Sequence, residues 1–182
     1  MPERALLRQR VRLAQSDEAA RLAELVAAAF AEVAARLGLT RENCPSHPSF
    51  ADEAAIRRSL SYGTVFLRIP EDGAPSGCVG VRRPKDGICA LEKLAVLPAA
   101  RRHGTGRALV EAAAMVAVDW RATELEASII ASEHDLARWY DGLGFVPLRT
   151  ARFPQLPFEV MVLRTGVGLG SLKPDSTYRE SD

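Results

Sequence analysis

The stretch from Val96 to Ala113, VLPAARRHGTGRALVEAA, constrains the fold more than any other part of the sequence. An apolar run ends at Pro98, which has no backbone N–H to donate and therefore stops a strand. A loop rich in basic side chains and glycine follows, and an alanine-rich helix begins directly after it. The backbone must therefore leave a sheet, turn and enter a helix within a few residues.

The loop before this helix has the features of an anion site. Gly104 and Gly106 allow unusual dihedral angles and close approach of a ligand to the main chain. The first amides of a helix lack intrahelical acceptors, and the helix dipole adds partial positive charge there. Arg101, Arg102 and Arg107 add full charges, so a pyrophosphate fits better than a carboxylate. The alternative is a capped helix start with a solvated basic cluster.

Two well-known phosphate loops do not match. The Walker pattern, Gly-x4-Gly-Lys-Ser/Thr, is absent from the sequence. The dinucleotide fingerprint requires a small residue where Leu109 stands and a strand that runs directly into the loop. A mononucleotide- or dinucleotide-binding domain is therefore disfavoured.

Periodicity and turn residues predict the order β-α-α-β-β-β-α-β-α-β-β on one mixed sheet, an α/β fold. The predicted helices cover residues 17–37, 50–60, 106–120 and 134–143. The predicted strands cover residues 11–14, 64–70, 76–84, 88–98 and 125–131, with a final hairpin over 145–153 and 158–164. We expect one domain over residues 1–165 and a polar, loosely ordered tail over 166–182.

Composition limits the classes of function. The 182 residues suffice for one domain with a normal core, and a net charge of +1 gives no global field for nucleic acid. The most apolar long stretch, Leu22 to Leu37, contains Glu24, Glu32 and Arg36, so we expect no membrane span. Three cysteines without a CxxC motif, and no secretory leader, predict a reduced cytoplasmic location.

The segment LAVLPAARRHGTGRALV resembles the acetyl-CoA signature of the GNAT family of N-acetyltransferases. That signature is a strand ending Leu-x-Val, then x-Pro-x-x, then Arg/Gln-x-x-Gly-x-Gly/Ala. Arg101, Gly104 and Gly106 fill its last part.

A second segment, LARWYDGLGFVPL, is similar to a later helix of the same family, in which a tyrosine precedes a Gly-Phe pair. Tyr140, Gly144 and Phe145 occupy those places. The predicted order of elements also matches the family from about Val11 to Arg164.

The resemblance implies acetyl-CoA as co-substrate and no metal. It implies that the main chain of Leu94, Ala95 and Val96 pairs with the pantetheine arm. It also implies that the loop amides hold the pyrophosphate. The loop residues concerned are Arg101, Arg102, His103, Gly104, Thr105, Gly106 and Arg107.

The family reaction is direct attack of an amine on the thioester in a ternary complex, which requires a base and a proton donor. Tyr140 is our candidate for the general acid that protonates the thiol, with a core aromatic as the alternative. Glu92 is our candidate base, acting directly or through water. Alternation along the strand predicts that Glu92, Leu94 and Val96 share one face and that Lys93 lies opposite. The alternative is that Glu92 faces solvent or pairs with an arginine.

The loop TRENCPSHPSF, residues 40–50, corresponds to the segment that covers the acceptor pocket in the family. Asn43 and His47 are our candidate substrate residues. Cys44 and His47 lack a second pair of ligands, so we predict no metal there.

Family members often carry an asparagine near the position of Glu133. The sequence SEHD has none, so Ser132 or His134 could replace it. We expect the acceptor to be a primary amine of a small molecule or peptide, and a homodimer is left open. The rival prediction is an acyl-CoA-binding sensor without turnover.

Overall fold

The computed structural model describes residues 11–71, 74–168 and 172–173. Seven strands form one mixed sheet: β1 (Arg12–Leu13), β2 (Val65–Glu71), β3 (Ala74–Lys85), β4 (Ile88–Val96), β5 (Glu124–Ile130), β6 (Val146–Arg152) and β7 (Glu159–Gly166). The described residues also form four α-helices: α1 (Ala19–Arg36), α2 (Glu53–Ser61), α3 (Thr105–Asp119) and α4 (His134–Gly142). The order of elements confirms the predicted α/β class.

One boundary differs clearly from the prediction. The second helix was expected to begin at Phe50, but that residue ends a short 3₁₀ turn that starts at Pro48. Helix α2 begins at Glu53, because the carboxylate of Asp52 accepts a hydrogen bond from the backbone N–H of Ala55 at 2.8 Å. An aspartate in this position satisfies one of the free amides of the first turn.

The strands lie in the order β1-β2-β3-β4-β5-β7-β6. All neighbouring pairs are antiparallel except β4 and β5, which are parallel. A parallel pair requires a crossover connection, and α3 supplies it. The hairpin between β3 and β4 turns at Asp86 and Gly87, with φ of 52° and 80°. Two positive φ angles in succession are typical of a type I′ turn.

The core is divided between the two faces of the sheet. On one face, α1 and α2 pack around Phe66, Cys78 and Ala95. On the other face, α3 and α4 pack around Leu109 and Leu125. We call these the α1/α2 face and the α3/α4 face. The cysteines Cys44, Cys78 and Cys89 are free and buried.

The predicted tail is described only in part. The backbone N–H of Val167 donates to the carbonyl of Thr123 at 2.9 Å, and that of Lys173 donates to the carbonyl of Leu143 at 3.2 Å. Leu172 packs against the core of the α3/α4 face. Residues 169–171 and 174–182, on which the rest of that prediction falls, lie outside the described residues.

Helix α3 packs closely on the sheet at Gly77. A Cβ at Gly77 would lie 3.1 Å from the carbonyl oxygen of Ala95 and from side-chain atoms of Leu109 and Thr105. We expect Gly77→Ala to lower the free energy of unfolding by about 1–3 kcal/mol in urea denaturation, because a backbone atom cannot move aside. Gly142→Ala is the control, since a Cβ there meets nothing within 4 Å. Equal stability of Gly77→Ala and the wild type would contradict this packing.

Candidate cofactor and acceptor site

Strands β4 and β5 separate after a short paired segment. Ile88, Cys89 and Ala90 pair with the first residues of β5. Beyond Ala90, β4 has no strand partner on this side within the described residues, although it stays paired with β3 as far as Val96. A strand edge inside a sheet leaves N–H and C=O groups that require partners. The gap therefore offers an edge along which another extended chain can form hydrogen bonds.

A β-bulge in β4 corrects the predicted arrangement of side chains along the strand. Glu92 lies opposite Gly80, and Ala95 lies opposite Cys78. The chain therefore advances three residues on β4 while it advances only two on β3. Lys93 has a φ of 51° within this irregularity. The prediction that Glu92 shares a face with Leu94 and Val96 is therefore wrong, because it assumed uninterrupted alternation.

The bulge separates the side chains of β4 between the two faces. Ala95 packs in the core of the α1/α2 face, and Leu94 and Val96 pack against the core of the α3/α4 face. Glu92 points to the α1/α2 face, because residues paired across an antiparallel ladder share a face. Lys93 was expected on the face opposite Glu92, but its ammonium reaches Ser59 of α2 at 3.1 Å.

The carboxylate of Glu92 has three polar neighbours. Its Oε1 lies 3.0 Å from Nη1 of Arg82, and its Oε2 accepts a hydrogen bond from the hydroxyl of Thr64 at 3.3 Å. The ammonium of Lys93 lies 3.9 Å from Oε2. The pairing with an arginine that we considered from the sequence is thus present, and the side chain remains 20% exposed.

Tyr140 lies on α4 in the core of the α3/α4 face, between Trp139 and Phe145. The centroid of its ring lies 4.9 Å from that of Trp139 and 5.0 Å from that of Phe145, and both pairs are edge-to-face. Burial raises the pKa of the Tyr140 phenol well above its usual value. The phenol is therefore protonated at neutral pH, and no described residue forms a hydrogen bond with it.

The two candidate catalytic side chains consequently approach from opposite faces. Glu92 lies on the α1/α2 face and Tyr140 on the α3/α4 face. A reacting group held in the gap can therefore meet a base from one side and a proton donor from the other.

The loop after β4 positions the first turn of α3. Pro98–Ala100 form a 3₁₀ turn, and Gly104 is the N-cap residue, with a φ of 81°. No side chain caps this helix, so its first amides keep their capacity to donate. Arg102 also has a positive φ, 64°, which a residue with a Cβ adopts only at a cost.

The basic side chains of the loop point in different directions. The guanidinium of Arg101 donates to the carbonyls of Val96 at 3.2 Å and Ala29 at 2.9 Å, and it pairs with Glu32 of α1. Arg107 donates to Glu111 at 3.0 Å and to the carbonyl of Lys173.

These contacts tie the loop to α1 and α3, whereas Arg102 and His103 are exposed. Arg102 and His103 are therefore the basic side chains that the loop presents to solvent without a partner among the described residues.

Thr105 and Gly106 have packing roles that the sequence did not reveal. Thr105 is buried beside Gly77 of β3. A Cβ on Gly106 would lie 3.2 Å from the ring of Trp139 and 3.7 Å from Val96. Gly106 thus allows α4 to pack on the first turn of α3, next to the gap.

The loop between α1 and α2 holds the two candidate substrate residues. The amide of Asn43 is engaged within the loop, because its oxygen accepts from the N–H of Thr40 at 2.8 Å and its nitrogen donates to the carbonyl of Gly38 at 2.9 Å. His47 is buried between Phe30 and Phe50. Burial lowers the pKa of its imidazole, so the ring is neutral at physiological pH.

A cavity of about 370 Å³ lies between the end of α1 and the β6–β7 hairpin. Its lining residues are Leu37, Leu39, Ala131, Ser132, Arg152, Pro157, Phe158 and Glu159. Next to the cavity, Arg36 pairs with Glu133 at 2.7 Å. Glu133 stands near the position where the family often has asparagine, and this ion pair engages its carboxylate. Ser132, one of the two residues considered for that role, lines the cavity.

Sequence reasoning did not place Lys93 beside Glu92, and it did not find the residues of the hairpin that line the cavity. Lys93 was missed because a bulge leaves no mark on the hydrophobic pattern. Arg152 and Phe158 were missed because they approach α1 only through the order of strands in the sheet. No group of three or more potential metal ligands lies together within the described residues. In the same part of the chain, no helix is long and apolar enough to cross a membrane.

A parallel pair that opens into a gap, followed by a glycine-rich turn and an uncapped helix, defines an acyltransferase-type fold. A model of the acetyltransferase (GNAT) family matches residues 32–145 of the chain. The match covers more than half of the sequence, and the chain belongs to the GNAT family of acetyltransferases.

Solved structures share this fold at low sequence identity. An acetyltransferase of the GNAT family from Desulfovibrio desulfuricans has a TM-score of 0.68 at 19% identity, over 87% of this chain and 98% of its own. The ribosomal-protein-S18-alanine N-acetyltransferase from Escherichia coli has a TM-score of 0.66 at 14% identity, over 93% of this chain and 98% of its own. An acetyltransferase from Salmonella typhimurium, solved with its cofactor acetyl-CoA, has a TM-score of 0.63 at 15% identity, over 94% and 98%. No curated protein sequence gives a significant match.

Proposed function

We propose that this protein is an acetyl-CoA-dependent N-acetyltransferase that acetylates a primary amine of a small molecule or peptide. The observation that carries the proposal is the unpaired edge of β4, which leads within a few residues to the uncapped first turn of α3. Both features leave backbone donors or acceptors without a partner in a strand or helix. Such groups suit a ligand with an amide-containing arm and a pyrophosphate.

The residues present fit acetyl-CoA. The main chain of Leu94, Ala95 and Val96 would bind the amides of the pantetheine arm, although the carbonyl of Val96 already accepts a hydrogen bond from the guanidinium of Arg101. The backbone N–H groups from Arg102 to Arg107 would bind the pyrophosphate, where the helix dipole adds favourable charge. The side chain of Arg101 would hold the loop against α1, since its guanidinium already contacts Ala29 and Glu32.

The chemistry requires two proton transfers. Acetyl-CoA supplies a thioester whose carbonyl carbon an amine attacks, with loss of the thiol. Glu92 accepts the proton that the amine loses, directly or through water, from the α1/α2 face. Tyr140 donates its hydroxyl proton to the departing sulfur from the α3/α4 face. The amine nitrogen gains a bond to carbon, the carbon–sulfur bond breaks, and solvent returns the phenol and carboxylate to their starting states.

Burial decides what Tyr140 can do. The raised pKa ensures that the hydroxyl carries its proton when the sulfur departs. It also makes the phenol a weaker acid than a free tyrosine. We therefore propose that the hydroxyl first stabilises the sulfur by a hydrogen bond, which strengthens as negative charge develops there, and then passes its proton to the thiolate.

We assign residues 1–165 to one catalytic domain. The three thiols are free and buried, which fits a reducing compartment, and we propose the cytoplasm. On the acceptor side, we assign Asn43 to shaping the loop between α1 and α2 and His47 to lining the acceptor site.

The direct test is release of free thiol from acetyl-CoA in the presence of amines. We expect release that depends on both protein and amine, followed with a thiol reagent across small amines, amino acids and peptides. Binding of acetyl-CoA with no release from any amine would replace the enzyme with a non-catalytic acyl-CoA sensor. Absence of binding in calorimetry would overturn the cofactor site itself.

Removal of the Tyr140 hydroxyl tests the proton donor. We expect Tyr140→Phe to lower kcat by about tenfold to 100-fold and to leave the affinity for acetyl-CoA within about twofold, because the ring and its packing are kept. Tyr62→Phe is the matched control, since Tyr62 is exposed on the surface at the end of α2. A Tyr140→Phe enzyme with the wild-type kcat would contradict this role and show that the tyrosine is purely structural.

A further inference from the structure

Thr64 is a buried polar residue at the junction of α2 and β2, with a relative exposure of 2%. Its backbone N–H donates to the carbonyl of Ser59 in α2 at 3.0 Å, and Gly63, with a φ of 83°, makes the turn between helix and strand. A buried hydroxyl requires a hydrogen-bond partner. Within the described residues that partner is the carboxylate of Glu92, at 3.3 Å.

Gly80 of β3 provides the space for this contact. It lies between Phe66 of β2 and Glu92 of β4 in the sheet. A Cβ at Gly80 would lie 3.0 Å from the methyl group of Thr64 and 3.1 Å from the ring of Phe66. A glycine within a strand often marks such a close approach. The missing side chain lets Thr64 lie over β3, where its hydroxyl meets the carboxylate that extends from β4.

The two closest donors to Glu92 differ in their exposure to water. Thr64 binds Oε2 and is buried, whereas the guanidinium of Arg82 pairs with Oε1 at 3.0 Å and its side chain is 54% exposed. An exposed ion pair contributes little, because water solvates both charges. A buried hydroxyl that donates to a carboxylate is not replaced by water in this way. Oε2 is therefore held, and Oε1 is free to exchange Arg82 for another partner.

The remaining cation near this carboxylate does not replace Thr64 as its anchor. The ammonium of Lys93 lies 3.9 Å from Oε2, which is beyond hydrogen-bond distance, and it donates to the hydroxyl of Ser59 at 3.1 Å. The Thr64 contact is itself longer than a usual O–H···O bond, and hydrogen bonds of catalytic groups often tighten only when substrate is bound. Thr64 is thus the buried donor on which the direction of Oε2 depends.

A base on a long side chain requires an anchor. Glu92 is the second residue beyond Ala90, where the pairing of β4 with β5 ends. A free glutamate side chain samples several rotamers, and a base accelerates a reaction only when its oxygen is held towards the proton that it takes. The Glu92 side chain remains 20% exposed, so an amine or a water can still reach it.

We propose that Thr64 is a positioning residue for the base, in which its buried hydroxyl anchors Oε2 of Glu92 so that Oε1 receives the proton of the amine. This inference rests on the proposed function. As the acceptor arrives on the α1/α2 face, Arg82 yields Oε1 to the amine or to a bridging water. An N–H bond of the amine breaks, an O–H bond forms at Oε1, and the hydrogen bond from Thr64 stays in place.

The first test removes the hydroxyl and then restores it. Thiol release is measured with acetyl-CoA and the amine that gives the fastest release in the panel of small amines, amino acids and peptides. We expect Thr64→Val to lower kcat by about tenfold, because a hydrogen bond to a charged group is lost, and to leave KM for acetyl-CoA within about twofold. Thr64→Ser should keep kcat within about twofold of the wild type, since serine retains the hydroxyl.

The matched control is Thr165→Val, the same change at a buried threonine of β7 that is 6% exposed, and its kcat should equal that of the wild type. Unchanged affinity for acetyl-CoA in calorimetry shows that each variant is folded. If Thr64→Val does not bind acetyl-CoA, Thr64→Ala takes its place, because it also lacks the hydroxyl but brings no additional apolar group to the carboxylate.

A double-mutant cycle tests whether Thr64 acts through Glu92. We expect Glu92→Gln alone to lower kcat, and the addition of Thr64→Val to Glu92→Gln to change kcat by less than about twofold. A residue with a separate structural role would instead slow the Glu92→Gln enzyme by the same factor as it slows the wild type.

Four results would overturn the inference. A wild-type kcat in Thr64→Val would show that the hydroxyl is not needed, and effects of Thr64→Val and Glu92→Gln that multiply would make Thr64 structural. A wild-type kcat in Glu92→Gln would remove the base that Thr64 is proposed to hold. These three results leave the acetyltransferase proposal standing. Absence of thiol release from the wild-type protein with every amine would overturn the proposed function, and the inference with it.

Discussion

The separation of β4 from β5 after Ala90 is the constraint on which the rest of the site depends. Parallel pairing covers three residue pairs and then stops, while β3 and β7 continue to hold the outer sides of the two strands. The gap is thus built into a sheet that is otherwise continuous. Helix α3 makes the crossover that this parallel pair requires, so its first turn lies at the end of β4. The loop, the helix terminus and the free strand edge therefore all follow from this one parallel crossover between β4 and β5.

The bulge at Lys93 gives the gap its chemical asymmetry. It places Glu92 and Lys93 towards α2, whereas Leu94 and Val96 remain against the core under α3. Polar groups therefore face the side of the sheet that α1 and α2 cover. The buried phenol of Tyr140 faces the other side. A strained residue in the middle of a strand is costly, and the contacts of its ammonium with α2 and Glu92 offset part of that cost.

The order of elements could be predicted from the sequence because each helix and strand has a strong local pattern. The loop from Arg101 to Arg107 was also visible, since glycine and proline mark backbone geometry directly. The face of Glu92 was not predictable, because one inserted residue reverses alternation without changing composition. The internal bonds of Arg101 and Arg107 were equally hidden, since they depend on how α1 and the segment around Lys173 pack. The packing of Phe158 against the cluster that contains Ala34 of α1 depends on strand order, which local patterns do not encode.

Amide hydrogen exchange with and without acetyl-CoA tests the central claim most directly. If the free edge of β4 and the first turn of α3 bind the arm and the pyrophosphate, amides in residues 91–96 and 102–107 will exchange more slowly in the complex. The hairpin from β6 to β7, away from these segments, serves as the internal reference. Binding of acetyl-CoA that leaves exchange in both segments unchanged would contradict the account, because the ligand would then occupy another surface.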